Sequence, residues 1–303
     1  MTQIVVHEVG PRDGLQMERE VVAIETKEDW VRRTMDSGVD IVQVGSFVHP
    51  VKVPQMADTD ELVRRLAGNK RAGATIAGLA LNERGVERGL ACGLEMFCLG
   101  ASASETHSLK NTGMATMEAT HRIIGAAQEA VAAGKKVQVS VQSAFGCGFE
   151  GPIPEARVLE MADAYLEAGL HNISLADTAG HAYPAQVERL FAAVFDLDPN
   201  IECTCHFHNT YGLGMANIMA AMSAGVTSFE TSFAGLGGCP FTKVAAGNVA
   251  TEDFVNALHL QGLRADVDLD TLISVASDVA AYFEREMPGC VYKTRSTHKK
   301  VAA

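Results

Sequence analysis

No stretch of the chain is apolar over the roughly 20 residues that a membrane-spanning helix needs. Met1-Thr2-Gln3-Ile4 carries no basic segment followed by an apolar one, so no secretory signal is expected. Positive charge is scarce: 25 Lys and Arg face 37 Asp and Glu, for a formal net charge of −12. That balance excludes non-specific nucleic-acid binding and attraction to an anionic membrane, while an anionic small molecule can still be met by local donors. A disulfide framework is missing as well. The seven cysteines are odd in number and scattered through apolar segments, as free thiols in a reducing compartment would be. These absences predict a cytoplasmic protein with neither nucleic-acid nor membrane partners. What is present is material for one large core, with 47% of 303 residues hydrophobic.

A hinge recurs along the chain: Ser37-Gly38, Cys92-Gly93, Ala133-Gly134, Ala168-Gly169 and Ala224-Gly225 each follow an apolar helical pattern and precede an apolar run. Glycine just past a helix takes the left-handed conformation that stops it. The chain therefore alternates helix, stop and strand. Strands are expected at 4–9, 41–45, 75–81, 96–99, 137–142, 172–176, 202–208 and 228–231. Helical patterns fall at 26–36, 59–67, 83–92, 115–133, 154–168, 184–195, 212–223 and 252–261. Eight β/α units form either a closed barrel or an open doubly wound sheet. No strand is followed by the glycine fingerprint of a dinucleotide site, so the expectation is an α/β fold of the (β/α)8 TIM-barrel type over 1–265. Residues 266–303 are expected to add a helical extension, with a helix at 269–286 on a barrel face and a basic tail.

Barrel chemistry sits where strands end. His206 and His208 close the seventh strand, and the side-chain period of two puts both imidazoles on one face, about 6–7 Å apart at Cα. Cys203, Cys205 and Phe207 then face the other way, which counts against a mixed Cys/His site. Strands 7, 8 and 1 are neighbours in a closed barrel, so Asp13 and Asn248 can join the histidines at one corner of the mouth. Taken singly, Asp13 reads as a turn or capping residue and Asn248 as a left-handed turn residue. Together they form a set of hard oxygen and nitrogen donors suited to Mg²⁺ or Mn²⁺, with Zn²⁺ as a further candidate. Arg12 offers a permanently charged fork for a developing oxyanion. The long glycine-rich stretch from Ala234 to Asn248, with Cys239 and Lys243, reads as a binding loop or lid.

Gly10-Pro11-Arg12-Asp13-Gly14-Leu15-Gln16 and Gly235-Leu236-Gly237-Gly238-Cys239-Pro240-Phe241 together resemble the 3-hydroxy-3-methylglutaryl-CoA lyase family. Ser46-Phe47-Val48, Val53-Pro54-Gln55-Met56, Leu175-Ala176-Asp177-Thr178 and Gly247-Asn248-Val249-Ala250-Thr251-Glu252-Asp253 match it in the same order. The resemblance implies a divalent cation held by Asp13, His206, His208 and Asn248. It implies Arg12, Asp13, Cys239 and Glu252 in the chemistry, and an acyl-CoA substrate contacted by Gln16, Gln43, Ser46, Asp177, His181, Asn209 and Lys243. The reaction would be a retro-Claisen cleavage releasing acetyl-CoA, carried out by a homo-oligomer, a dimer or tetramer. The chain departs from the family at Gln43 and Asn209, where carboxylates are usual, and at His181 and Lys243. Gln43 and Asn209 are both expected to face the mouth and to retune the acyl pocket. Citramalyl-CoA is the alternative substrate. A condensing enzyme of the isopropylmalate synthase type shares the metal logic but typically lacks Gly-Gly-Cys-Pro. A barrel that binds without turnover would lack Arg12 or Cys239.

Overall fold

The computed structural model describes residues 4–68, 70–238 and 247–294. Eight parallel strands close into a barrel in chain order: β1 Val5–Glu8, β2 Ile41–Ser46, β3 Thr75–Leu79, β4 Met96–Ser102, β5 Lys136–Gln142, β6 Asn172–Asp177, β7 Glu202–Phe207 and β8 Ser228–Thr231. Around them lie α1 Ile24–Asp36, α2 Thr59–Ala67, α3 Glu83–Cys92, α4 Glu105–Thr112, α5 Thr116–Ala132, α6 Glu155–Glu167, α7 Pro184–Phe195, α8 Gly214–Ser223, α9 Thr251–Leu260 and α10 Leu269–Tyr282. The expected barrel is the observed one. Each of the five glycine stops has a left-handed backbone, from φ 73° at Gly134 to φ 106° at Gly38. A Cβ at any of them would strain the turn that sends the chain from helix back into the sheet.

Most elements differ from expectation by a residue or more at an end, and one helix is additional. The helix α4 was not anticipated, because eight residues capped by Ser104 and stopped at Gly113 are too few for a helical period to emerge. α8 begins at Gly214, two residues late, because the Asn209 side chain accepts a hydrogen bond from the Gly214 N–H (2.9 Å). α10 ends at Tyr282 instead of 286.

Two apolar layers result. The main core lies between sheet and helices and takes the outward side chains of the strands, Cys203, Cys205 and Phe207 among them. A second cluster joins α1, α10 and the loops after β1 and β8 through Leu15, Trp30, Phe233, Leu236, Val279 and Met287. Trp30 anchors it, edge-on to Phe233 (6.0 Å) and to Tyr282 (5.5 Å). The C-terminal segment thus packs under the loops that carry the candidate site.

Candidate metal centre

The site begins with strand alternation in β7. His206 faces the barrel interior, and His208, one residue past the strand, follows the same parity, so the two Nε2 atoms stand 3.1 Å apart. Asp13 arrives from the loop after β1, on the far side of β8. After β1 the chain makes one π-helical turn, Gly10–Gly14, with Pro11 in its first turn, where a missing N–H costs nothing. Gly10 is required there, since a Cβ would stand 2.6 Å from Glu8 Oε1. The turn places Asp13 Oδ2 3.8 Å from His206 Nε2 and 3.6 Å from His208 Nε2.

Asn248 completes the corner. The segment returning from the β8 loop runs antiparallel to the end of β7 and pairs Asn248 with His208. Its Nδ2 donates to Asp13 Oδ2 (2.8 Å) and to the Leu236 carbonyl (3.1 Å), while its Oδ1 is buried without a partner. One ligand atom each from Asp13, His206 and His208 lie within 4.8 Å of one another. The Asn248 amide turns Nδ2 toward Asp13; rotated so that its unpartnered oxygen faces the cluster, it completes a donor set that fits a divalent metal ion.

Charge is organised around it. Burial pushes the Asp13 carboxyl up, but the Arg12 guanidinium, a hydrogen bond to His208 and the two imidazoles hold it well below the usual carboxylate range. Beneath it, His206 Nδ1 pairs with Glu230 Oε2 at 2.8 Å, the carboxylate–imidazole contact that fixes which ring nitrogen faces a metal. Burial alone would push Glu230 up; His206, His7 and Arg12 bring it down to about 2. For His206 burial lowers the pKa, and the Glu230 bond and charge outweigh it and raise it.

Arg12 is held from both sides: Nη1 donates to Asp13 Oδ1 at 2.5 Å and Nε donates to Gln43 Oε1. Gln16 Nε2 reaches the same Asp13 oxygen at 3.3 Å. Gln43 therefore orients the guanidinium from inside the barrel. Ser46, at the end of β2, is fully buried with an unpartnered hydroxyl.

Other expected site residues are engaged elsewhere. Asn209, expected to face the mouth, is one residue out of phase with His208 and spends its side-chain oxygen on α8. Both Asp177 oxygens accept backbone N–H groups of its own loop, from His181 (2.8 Å) and Ala182 (2.9 Å), so it shapes the turn that carries the partly exposed His181 instead of offering a free carboxylate to a substrate. The His181 ring lies 5.7 Å from that of Tyr211. Glu252, expected in the chemistry, is fully buried at the start of α9 with Oε2 on the Ala234 N–H (3.1 Å). Burial, with Asp253 adding to it, raises its pKa to about 8. Cys239 and Lys243 lie outside the described residues.

Sequence reading missed Glu230, His7, Gln138 and Glu8. A signal existed for the first two: both are polar at inward positions, Glu230 on β8 beside the histidine strand and His7 on β1 next to β8, and register sets His7 and His206 opposite Glu230.

The chain has relatives. The hydroxymethylglutaryl-CoA lyase of Bacillus subtilis is 35% identical over 286 residues, 94% of this chain and 95% of its own. The (R)-citramalyl-CoA lyase of Chloroflexus aurantiacus is 34% identical over 311 residues, covering 100% of this chain and 98% of that one. A solved HMG-CoA lyase from Acinetobacter baumannii, in complex with coenzyme A and 3-methylmalate, superposes with a TM-score of 0.90 at 36% identity, over 96% of this chain and 94% of its own. Residues 3–279 match the HMGL-like family model, and the chain belongs to that family.

Proposed function

We propose that the protein is a metal-dependent carbon–carbon lyase that cleaves 3-hydroxy-3-methylglutaryl-CoA to acetyl-CoA and acetoacetate. The observation that carries this reading is the Asp13–His206–His208 cluster with the Arg12 guanidinium docked on Asp13 at the barrel mouth. Asp13, His206, His208 and the free Asn248 oxygen would hold the ion, and their hard donors favour Mg²⁺ or Mn²⁺ over Zn²⁺. A divalent cation there supplies Lewis acidity that lowers the pKa of the substrate's C3 hydroxyl.

A base beside Asp13 takes the hydroxyl proton. The C2–C3 bond breaks, C3 becomes the ketone of acetoacetate, and the electron pair stays with the acetyl-CoA enolate. Arg12, pre-oriented by Gln43, meets the enolate oxygen with a fixed fork that needs no reorganisation during the reaction. Cys239 returns a proton to carbon. Gln16, Gln43, Ser46, His181 and Lys243 would line the substrate's path; Glu252, from its buried position, acts on the loop backbone. We assign the protein to the cytoplasm as a homo-oligomer.

Acetyl-CoA release from 3-hydroxy-3-methylglutaryl-CoA, with and without chelation and Mg²⁺ or Mn²⁺ restoration, tests the reading; full activity after chelation would end it. A second substrate, citramalyl-CoA, is favoured by the full-length relative acting on it and by the uncharged Gln43 at Arg12. Comparing kcat/KM for the two substrates in wild type and Gln43→Glu decides between them. An unchanged ratio means that Gln43 only orients Arg12.

A further inference from the structure

Glu8, the last residue of β1, alternates away from the inward-facing His7 and is completely buried. Its carboxylate meets three different elements. Oε1 accepts the N–H of Gly10 (2.6 Å), which opens the turn bearing Arg12 and Asp13. The same oxygen accepts the N–H of Phe233 (2.9 Å), where the β8 loop begins. Oε2 accepts the hydroxyl of Thr251 (2.6 Å), three residues past Asn248, and that hydroxyl also contacts Thr231 Oγ1 (2.8 Å). Neither oxygen is left over. The cluster has no room to slide, because Gly10 could not carry a Cβ beside either Glu8 Oε1 or Ser232 Oγ.

A carboxylate is an acceptor with two oxygens and several lone pairs, so one residue can gather donors that no ladder hydrogen bond serves. Here the gathered donors belong to the chain segments that deliver Asp13 and Arg12, the glycine-rich loop, and Asn248. We infer that Glu8 is a positioning residue: one buried carboxylate sets the spacing among the three loops that assemble the cation site. The inference rests on the metal-lyase reading for its consequence in catalysis and on the hydrogen bonds alone for its structural part.

The test uses full-length protein and two substitutions. Glu8→Asp is one methylene short and cannot span all three donors. It should raise the Mn²⁺ dissociation constant about tenfold, and lower kcat by about 100-fold with KM nearly unchanged, the scale of outer-shell changes and ångström-sized misplacements. Amide exchange should quicken in 9–14 and 231–236 but not in β4 or β5. Glu8→Gln keeps a carbonyl oxygen for the two N–H groups and turns an N–H toward Thr251, so it should stay within about threefold of wild type. Should Glu8→Asp fail to fold, Thr251→Val removes one of the three bonds and should shift Mn²⁺ affinity in the same direction.

Wild-type Mn²⁺ affinity and wild-type exchange in Glu8→Asp, or in Thr251→Val if the former is unfolded, overturn the inference. So does a Glu8→Gln protein as damaged as Glu8→Asp, since charge and not reach would then matter. If wild-type protein binds no Mn²⁺, the metal-lyase reading fails, and the exchange measurement alone decides the role of Glu8.

Discussion

The barrel interior has an apolar side and a polar side built on the same strand geometry. Along β3 and β4 the apolar inward residues are Ala77, Met96 and Cys98, with Leu79 of β3 and Ile41 of β2 against them. Along β7, β8 and β1 they are His206, Glu230 and His7, neighbours in register. The apolar side needs no partners. The polar side is tolerable because its groups are paired: Glu230 takes His206 on one oxygen and Gln138 Nε2 (2.5 Å) on the other. His7 is the exception, with neither ring nitrogen hydrogen-bonded and Nδ1 3.6 Å from Glu230 Oε1. A core gains little from such groups, and a hydrophobic replacement is often at least as stable. Their concentration at one corner, directly under the mouth, is therefore not explained by stability.

The comparison breaks most visibly at the histidines. His206→Ala removes a donor and should abolish measurable Mn²⁺ binding and lower acetyl-CoA release by more than about 100-fold while the circular dichroism of the barrel persists. Retained binding would move the metal away from this corner. Arg12→Lys keeps the charge but not the fork, and should lower kcat roughly 10²-fold with cation affinity unchanged, by stopped-flow and titration respectively. An unaltered kcat would remove Arg12 from the chemistry.

Stability should respond to pH with opposite signs in different parts of the site. Burial raises Glu252 to about 8 and Glu8 to about 7. A carboxyl raised above its unfolded value contributes stability fully below about 4.5, and loses that contribution as pH rises through its folded value. His7 is lowered by burial to about 4, so its contribution is present above 6.5 and is lost as pH falls through about 4. Glu252→Gln should thus flatten the decline of melting temperature between pH 5 and 8.5, by the equivalent of about 1 kcal/mol or more. An equally steep decline in the variant would mean that Glu252 is ionised in the fold. The smallest effect is expected on the apolar side. Burial pushes the Cys98 thiol up to about 12, so it is an inert wall residue, and Cys98→Ala should leave kcat unchanged while costing about 1 kcal/mol in denaturant unfolding.

Much of this was legible in the chain. Hydrophobic period and glycine stops announced all eight units, since both are local signals. The Asp13, His206, His208 and Asn248 set followed from strand ends plus closure of the barrel. Asn209 shows the limit: nothing local in the sequence announces that its side-chain oxygen takes the Gly214 N–H that opens α8. Glu252 sits in a motif, yet its contact with Ala234 depends on how α9 meets the β8 loop.

By itself, then, the sequence determined the order of elements, the barrel and which residues stand at strand ends, because propensity, period and capping act over a few residues. Tertiary structure alone decided which buried carboxylates meet which donors. Glu8 joins Gly10, Phe233 and Thr251, positions separated by 225 and 243 residues from Glu8 in the two distant cases. Glu230 meets His206 only because β7 and β8 pair in one register. Burial removes water as an alternative partner, so the folded packing, and not the residue's own preference, sets each group's hydrogen bonds and charge.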